Sequence, residues 1–494
     1  MLSFLGLLSG LPLLVLGAPL LLTLRCHLLL LAVPLPTRVH LPWPLSRLPR
    51  RLLELLGLRS ERGKRDKFQL STATYYFRPL LHVPTLEAAR AVLSPAKPPP
   101  SPGPSSGPSS APSSAPSPTL PTGLQKGSAY DNFASFTGSS VFTCPDSSPA
   151  SPRAGDSWRH KRHELLKHVF RSPNASASPL QPPLSAAIAT SLASFDPPSP
   201  ADLLPLYQAL TFGISFLYLL GRPFAQPASL PPLRTYLCAL TRIRVLVLEQ
   251  SRSPLFLLPA RLTPAGREIG RLMEVARPYA RHVLETAPAA SRIGSFILSC
   301  RASMSGDVTA YLLDEVTTLL FASVDTSAGT LSFATCHLAA LPRAPVDVDA
   351  HVKETLRLTP VAEFVVRPLV EPLSLPASPA AAARVPAGVQ ACVWIKLVHT
   401  NPAYYARPQE FLPERWTTRP ELVLEPGAFL PFGLGGRACV GSAIGRQVVR
   451  EVFGHVAGKY VVGGRPDYRD VTRGFTTLPR SVRVTLTPRA AVAA

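Results

Sequence analysis

The strongest constraint on the fold lies in residues 308–341, VTAYLLDEVTTLLFASVDTSAGTLSFATCHLAAL, which hold three acidic residues and no Lys, Arg or Pro in 34 positions. A run this apolar predicts a long buried helix that other elements must cover. Asp325 and Thr326 fall in its middle, where a polar pair costs stability unless it is bonded or used. A chain of 494 residues, 46% apolar, can supply that cover as one large domain with additions or as a few modest domains, and still enclose a sizeable pocket.

Leu2–Leu24, LSFLGLLSGLPLLVLGAPLLLTL, is uncharged over about the length of one membrane-spanning helix. Between Arg25 and Arg65 stand nine Lys or Arg against two Glu, which holds that flank in the cytoplasm. A cleaved signal peptide and an organelle transit segment are the alternatives. The formal charge of +21 favours acidic partners. Because basic residues cluster beside the apolar run with no aromatic-interleaved basic motif, lipid is expected and nucleic acid is not. The 57 Pro concentrate in part in the tract 95–123, which buries too little to offset chain entropy and reads as a flexible insertion. The expected organisation is an anchor with a basic, Pro-rich hinge over 1–45, the start of a folded domain over 46–94, the insertion, and the rest of that domain over 124–494.

Three further segments carry a period. SWRHKRHELLKHVF (157–170) has apolar residues at 158, 165, 166, 169 and 170, a helix with His160, Lys161, His163 and Lys167 on a positive face. VPAGVQACVWIKLVHT (385–400) predicts strands around a Gly turn. IGRQVVREVFGHV repeats apolar positions from 444 to 456 and predicts a helix starting just after Cys439. The seven Cys are scattered, so neither a disulfide framework nor a zinc module is expected.

PFGLGGRACVG (431–441) admits three readings: a dinucleotide turn, a thiolate ligand, or an ordinary loop. The first needs alternating strands and helices downstream, and only 53 residues with one evident helix follow Gly441. The second needs a thiolate steadied by a helix N-terminus, where Cys439 is placed, and with no neighbouring Cys one sulfur suits a haem iron. Phe432, Gly435, Arg437, Cys439 and Gly441 fit F-x-x-G-x-R-x-C-x-G, and on these residues the chain resembles the cytochrome P450 family, of the eukaryotic membrane-anchored type.

The resemblance extends to KETLRL, with Glu354 and Arg357, and to FLPERW, with Arg415; in the family these form one buried ionic network. ASVDTS resembles the oxygen-activation segment, with Asp325 and Thr326 matching and Ser323 where Gly is usual. Taken alone, Thr326 would bond the carbonyl four residues back. Trp158 and Arg162 resemble the pair that meets the haem propionates, and Arg367 is a further propionate candidate.

What the resemblance implies is a mainly α fold with small β sheets, the cytochrome P450 fold with an N-terminal anchor. It also implies haem b (iron protoporphyrin IX), with Cys439 as axial ligand of the metal and Arg437, Phe432, Gly435 and Gly441 around it. Thr326 and Asp325 are then the catalytic proton relay of a monooxygenase that uses O2. Electrons are expected from NADPH-cytochrome P450 reductase or an equivalent donor. The substrate is expected to be lipophilic, a sterol, fatty acid or similar, and the place the endoplasmic reticulum membrane with the catalytic domain cytosolic, or else a mitochondrial or plastid membrane. Thr326 and Glu354 stand closer together than in the family. That keeps a non-catalytic or degraded relative as an alternative; within haem-thiolate chemistry an O2-independent isomerase or dehydratase is another, although such members often lose the helix Thr that is present here as Thr326.

Overall fold

The computed structural model describes residues 37–40, 71–75, 78–94, 131–144, 158–170, 172–176, 178–252, 262–304, 307–341, 347–378 and 381–490. The expected anchor and the 95–123 insertion lie outside them. In chain order the elements begin with strands β1 (Thr37–His40), β2 (Ser71–Tyr75) and β3 (Arg78–Val83), then helices α1 (Leu86–Leu93), α2 (Asp131–Thr137), α3 (Trp158–Leu165) and α4 (Leu184–Ala193). After β4 (Ala201–Asp202) come α5 (Leu203–Leu220), α6 (Leu233–Arg252), α7 (Pro264–Thr286), α8 (Arg292–Ser303), α9 (Thr309–Ala339) and α10 (Val348–Leu358). The chain continues with β5 (Val365–Pro368), β6 (Leu373–Ser378), β7 (Ala381–Val385), β8 (Gln390–Val393), α11 (Ile395–His399) and α12 (Ser442–Lys459). It closes with β9 (Tyr460–Gly463), β10 (Val471–Arg473), β11 (Thr477–Pro479) and β12 (Arg483–Pro488).

Two compact units result. The first draws on Met1–Gly127, Phe364–Leu397 and Gly433–Ala438. Its sheet has the order β1-β2-β3-β8-β5, with β3 and β8 parallel from Leu80↔Gln390 to Val83↔Val393, and β6 pairs with β7 beside it in sequence. The 385–400 segment, expected to be strands around a Gly turn, holds the end of β7 at Val385, a turn, and β8 over Gln390–Val393, but is not strand beyond it. The ladder ends when the Trp394 N–H donates to Val83. The chain then turns into α11, where Ile395 and Val398, three apart as on a helix face, are both buried.

The second unit, Ser128–Glu363, Val398–Phe432 and Cys439–Ala494, is built around α9. Its 31 residues match the helix read from the sequence, and burial extends around most of its circumference. The Tyr207 and Thr335 hydroxyls bond at 2.9 Å where α5 crosses it, and a Cβ on Gly329 would fall 2.2 Å from Leu478 of β11. That close approach is why the helix carries Gly there despite its helix cost. α6 and α7 pack through stacked Tyr236 and Tyr279, 4.1 Å between ring centroids. Helix starts follow ordinary capping: Asp202, Thr263, Ser291 and Asp347 each accept a backbone N–H of the first turn of α5, α7, α8 and α10. Among the described residues α5 alone is long and apolar enough to cross a membrane, and twelve of its eighteen residues are buried in this unit.

One sequence expectation is corrected in α3. The helix forms and continues as a π turn over Leu166–Phe170, but Lys161, assigned to the positive face, is only 2% exposed and donates to the Ser139 carbonyl. Its position explains this: it lies three residues after Trp158 and four before Leu165, both buried.

Candidate active site

Cys439 sits on the loop feeding α12. Its N–H donates to the Phe432 carbonyl at 2.9 Å, and Gly441 is the N-cap of the helix. In the first unit Gly435 has φ of 76°, and a Cβ there would fall 2.0 Å from the Leu93 carbonyl oxygen, so only Gly fits. The Cys439 side chain is exposed, yet burial is the largest influence on its thiol and pushes it up; the Gly441 N–H, Arg162 and Arg446 oppose this. Both observations hold for a sulfur on the floor of a recess, open on one side and walled on the others. The helix N-terminus therefore pulls as expected but does not outweigh burial of the free thiol.

From α3, Arg162 comes within electrostatic reach of Cys439, its own pKa lowered mainly by burial and raised in part by that sulfur. Its guanidinium lies 5.9 Å from the Trp158 ring centroid, with Trp158 buried. Arg446, one turn into α12, lies 5.1 Å from the Phe432 ring. Of the remaining propionate candidates, Arg367 is buried on β5 with its guanidinium donating to the Val366 carbonyl at 2.8 Å, and Arg437 is half-buried; both belong to the first unit.

Midway along α9 the burial breaks: Ala322 is exposed and Ser323 and Thr326 are half-buried, while Phe321, Val324 and Asp325 are buried. Residues 322, 323 and 326 share one face, so the helix is open there. The Thr326 hydroxyl donates to the Ala322 carbonyl at 2.7 Å. Asp325 points elsewhere. It accepts from Gln208 Nε2 at 2.9 Å and lies 3.6 Å from the Arg244 Nε, with both ionic partners fully enclosed. Burial pushes its carboxyl up, and Arg244 and Gln208 hold it down. The structure thus does not bring Asp325 and Thr326 to one face.

Glu354, Arg357 and Arg415 do meet. Arg357 donates to both Glu354 oxygens at 2.9 and 2.8 Å, and Arg415 Nε donates to Oε1 at 3.0 Å. Trp416 Nε1 and the Leu412 N–H complete the carboxylate's shell, each at 2.9 Å. His399 braces the same core. Its Nε2 accepts from the Leu430 N–H at 2.8 Å, so its Nδ1 donates to the Arg357 carbonyl at 3.2 Å, which requires a neutral ring. Burial, then Arg357, lowers its pKa to about 3. His337 and His351, also buried, are lowered to about 3 and about 4. A histidine held below its unfolded value favours folding above pH ~6.5, and that contribution is lost as pH falls toward the folded pKa. Urea unfolding at pH 6.5 and pH 4.5 should therefore give lower stability in acid. The slope from each ring approaches about 1.4 kcal/mol per pH unit, and His399→Gln should remove one such share.

Gln208 and Arg244 at Asp325, Arg446 at Cys439, and Trp416 and His399 in the network are neighbours that sequence reading missed. Trp416, adjacent to Arg415, lay in the FLPERW motif, whereas His399 and Arg446 lay in segments read only for their secondary structure. Among the described residues no group of three or more His, Cys, Asp or Glu could hold a metal ion. The donor set at Cys439 instead fits a group that offers one soft metal position to a thiolate and carries anionic edges for guanidiniums.

The Cytochrome P450 family model matches residues 348–463, the stretch that contains Glu354, Arg357, Arg415 and Cys439. Over that stretch the chain is similar to the cytochrome P450 family. It is 35% identical over 170 residues to putative cytochrome P450 135B1 of Mycobacterium bovis, covering 29% of this chain and 34% of that protein. It is 23% identical over 369 residues to cyclooctat-9-en-7-ol 5-monooxygenase of Streptomyces melanosporofaciens, covering 69% and 76%. The chain spans about a third of the length of the first relatives it matches. Two solved structures show the fold: CYP175A1 of Thermus thermophilus, TM-score 0.60 at 19% identity over 91% of this chain and 99% of that one, and a zebra fish cytochrome P450 with progesterone, TM-score 0.61 at 17% identity over 90% and 100%. The chain thus has the mainly helical P450 fold with small sheets, and the family it is similar to implies a haem-thiolate cofactor.

Proposed function

We propose that this chain is a cytochrome P450 monooxygenase that inserts one oxygen atom of O2 into a lipophilic substrate, with electrons from a separate reductase. The observation that carries this reading is Cys439 itself, a recessed thiol bonded by the Gly441 N–H and within electrostatic reach of the Arg162 and Arg446 guanidiniums. Haem b, when bound through that sulfur, supplies the activation of dioxygen. Arg162 and Trp158, which share the second unit with Cys439, are the residues that would hold its propionates. The Gly441 N–H donates to the sulfur and limits its basicity. Thr326, held by Ala322 on the open face of α9, is the group that keeps a proton beside the reacting atoms. Asp325, locked by Gln208 and Arg244, fixes the helix around it.

Support for a lipophilic substrate comes from the aromatic residues next to that face. Phe136 meets Phe321 edge to face at 4.7 Å, and Phe133, Phe142 and Phe475 form a mutual cluster at 4.6 to 5.2 Å. A relative named as a monooxygenase supports the reaction class. The apolar 2–24 run and the basic flank support residence on the endoplasmic reticulum membrane. Exposed Arg159 and His163 on α3 and Lys167 on the π turn that follows it support an acidic reductase partner.

The test is the reduced, carbon-monoxide-bound absorption spectrum of the purified chain with turnover of lipophilic candidates under NADPH and reductase. A thiolate-type Soret band with product formation is expected; a chain that takes up no haem would overturn the reading. Thr326→Ala should leave the band in place and lower product formed per NADPH severalfold. Unchanged coupling would remove the proton-holding role from Thr326.

A further inference from the structure

Seven residues after α2, Gly138–Cys144, form a tight strap lying against the N-terminal half of α9. Three side chains fasten its backbone. The Ser139 N–H donates to Asp314 Oδ2 at 3.0 Å, the Val141 N–H donates to Glu315 Oε1 at 2.7 Å, and Lys161 of α3 donates to the Ser139 carbonyl. Gly138, at φ of 51°, lies so close to Asp314 that a Cβ would fall 1.9 Å from its Oδ2. The strap is also closed on itself, with Thr143 Oγ1 donating to the Gly138 carbonyl at 2.6 Å and the Cys144 N–H to Ser140 at 2.7 Å. Glu315 and Lys161 are almost fully enclosed, and Lys161 also sits 4.5 Å from the Tyr311 ring centroid. An enclosed lysine and carboxyl group spent on backbone groups of a short loop are costly to bury unless that loop's position matters.

What the strap positions is the aromatic wall. Phe142 on the strap meets Phe133 of α2 and Phe475 between β10 and β11, while Phe136 of α2 meets Phe321, the neighbour of open Ala322. We infer that Lys161, Asp314 and Glu315 act as a clasp holding the 138–144 strap on α9, and that the clasp sets the bulk of ligand admitted to the open face at Ala322 and Thr326. The three are positioning residues; they act through Phe142 and Phe133. The fastening stands on the contacts alone, whereas the ligand it restricts rests on the monooxygenase reading.

Glu315 is pushed up to about 8, chiefly by burial, with Lys161 opposing. At neutral pH it is held largely as the neutral acid, for which Gln is a close mimic. Three variants of the full chain then separate the cases: Lys161→Met, Glu315→Ala and Glu315→Gln. Hydrogen exchange should show the Ser139 and Val141 amides exchanging at least tenfold faster in Lys161→Met and Glu315→Ala, with α9 beyond Ala322 unchanged, and near-native exchange in Glu315→Gln. Association of 4-phenylimidazole, followed by absorbance, should quicken severalfold in the first two variants, while imidazole does not change. Unaltered strap exchange in both would overturn the clasp, as would a rise spread evenly along α9. Equal changes for the small and large probes would overturn its control of ligand size. If the unmutated chain binds no haem, the monooxygenase reading falls and hydrogen exchange alone still decides the fastening.

Discussion

Replacing Cys439 with Ala is expected to abolish the thiolate-type Soret band of the reduced, carbon-monoxide-bound protein and all turnover, while far-ultraviolet circular dichroism stays native. The buried thiols with raised pKa values cannot take its place. Cys300, Cys336 and Cys392 are buried, and desolvation pushes each of their thiols up, the first two to about 12, without a guanidinium of the kind that faces Cys439. Cys439 differs because Arg162, Arg446 and the Gly441 N–H all favour the anion, each within a recess that excludes much of the water that would screen them. Removing one cation should weaken without abolishing. Arg162→Leu leaves Arg446 and Gly441 in place, so a reduced haem content with a residual thiolate band is expected, read from the haem-to-protein absorbance ratio. Retention of the native band in Cys439→Ala would sink the assignment of the sulfur.

The parts of this molecule that sequence made legible share one property: the information is local in the chain or fixed by a short spacing. The long apolar run became α9 within two residues at either end, and the periodic segment after Cys439 became α12. Glu354 and Arg357 are three apart on α10, so one face of one helix already joins them, and the PERW segment supplied Arg415. What was not legible depends on which distant elements become neighbours. Nothing in the 233–252 segment marks Arg244 as the partner of Asp325, because the choice is made by which distant helices the fold brings together. Thr326 and Asp325 are adjacent in sequence, yet a helix turns about 100° per residue, and the two side chains serve different faces. Lys161 is the instructive error. Residue type argued for solvent, whereas the spacing 158, 161, 165, 169 placed it on the buried stripe with Trp158, Leu165 and Val169.

Glu354→Ala should be the most destabilising single change in the second unit. Arg357 uses all five of its N–H donors: two on Glu354, and three on the carbonyls of His399, Pro408 and Glu410. Glu354 in turn accepts from Arg357, Arg415, Trp416 and the Leu412 N–H, with no exposed surface on the carboxylate or on either guanidinium. Taking out the carboxylate strands two buried cations and two further donors. A broken buried pair alone costs about 3–5 kcal/mol, a large share of the roughly 5–15 kcal/mol by which a typical domain is stable. The variant is therefore expected to unfold at a far lower urea midpoint, or to fail to accumulate folded. Glu354→Gln keeps one acceptor oxygen and the shape but loses the charge, and should fall between Ala and the native chain. Arg357→Lys is the sharper comparison. It keeps the positive charge and removes the fork, so if charge alone held the core it would be nearly neutral. Because Lys offers at most three donors from one nitrogen, it cannot span both Glu354 oxygens and three carbonyls on the 399–410 segment. A loss close to that of Glu354→Ala, measured by urea midpoint at constant m-value, is the expected result. A native midpoint in Arg357→Lys would show that the network works by charge and not by the geometry it imposes on the segment leading to Cys439.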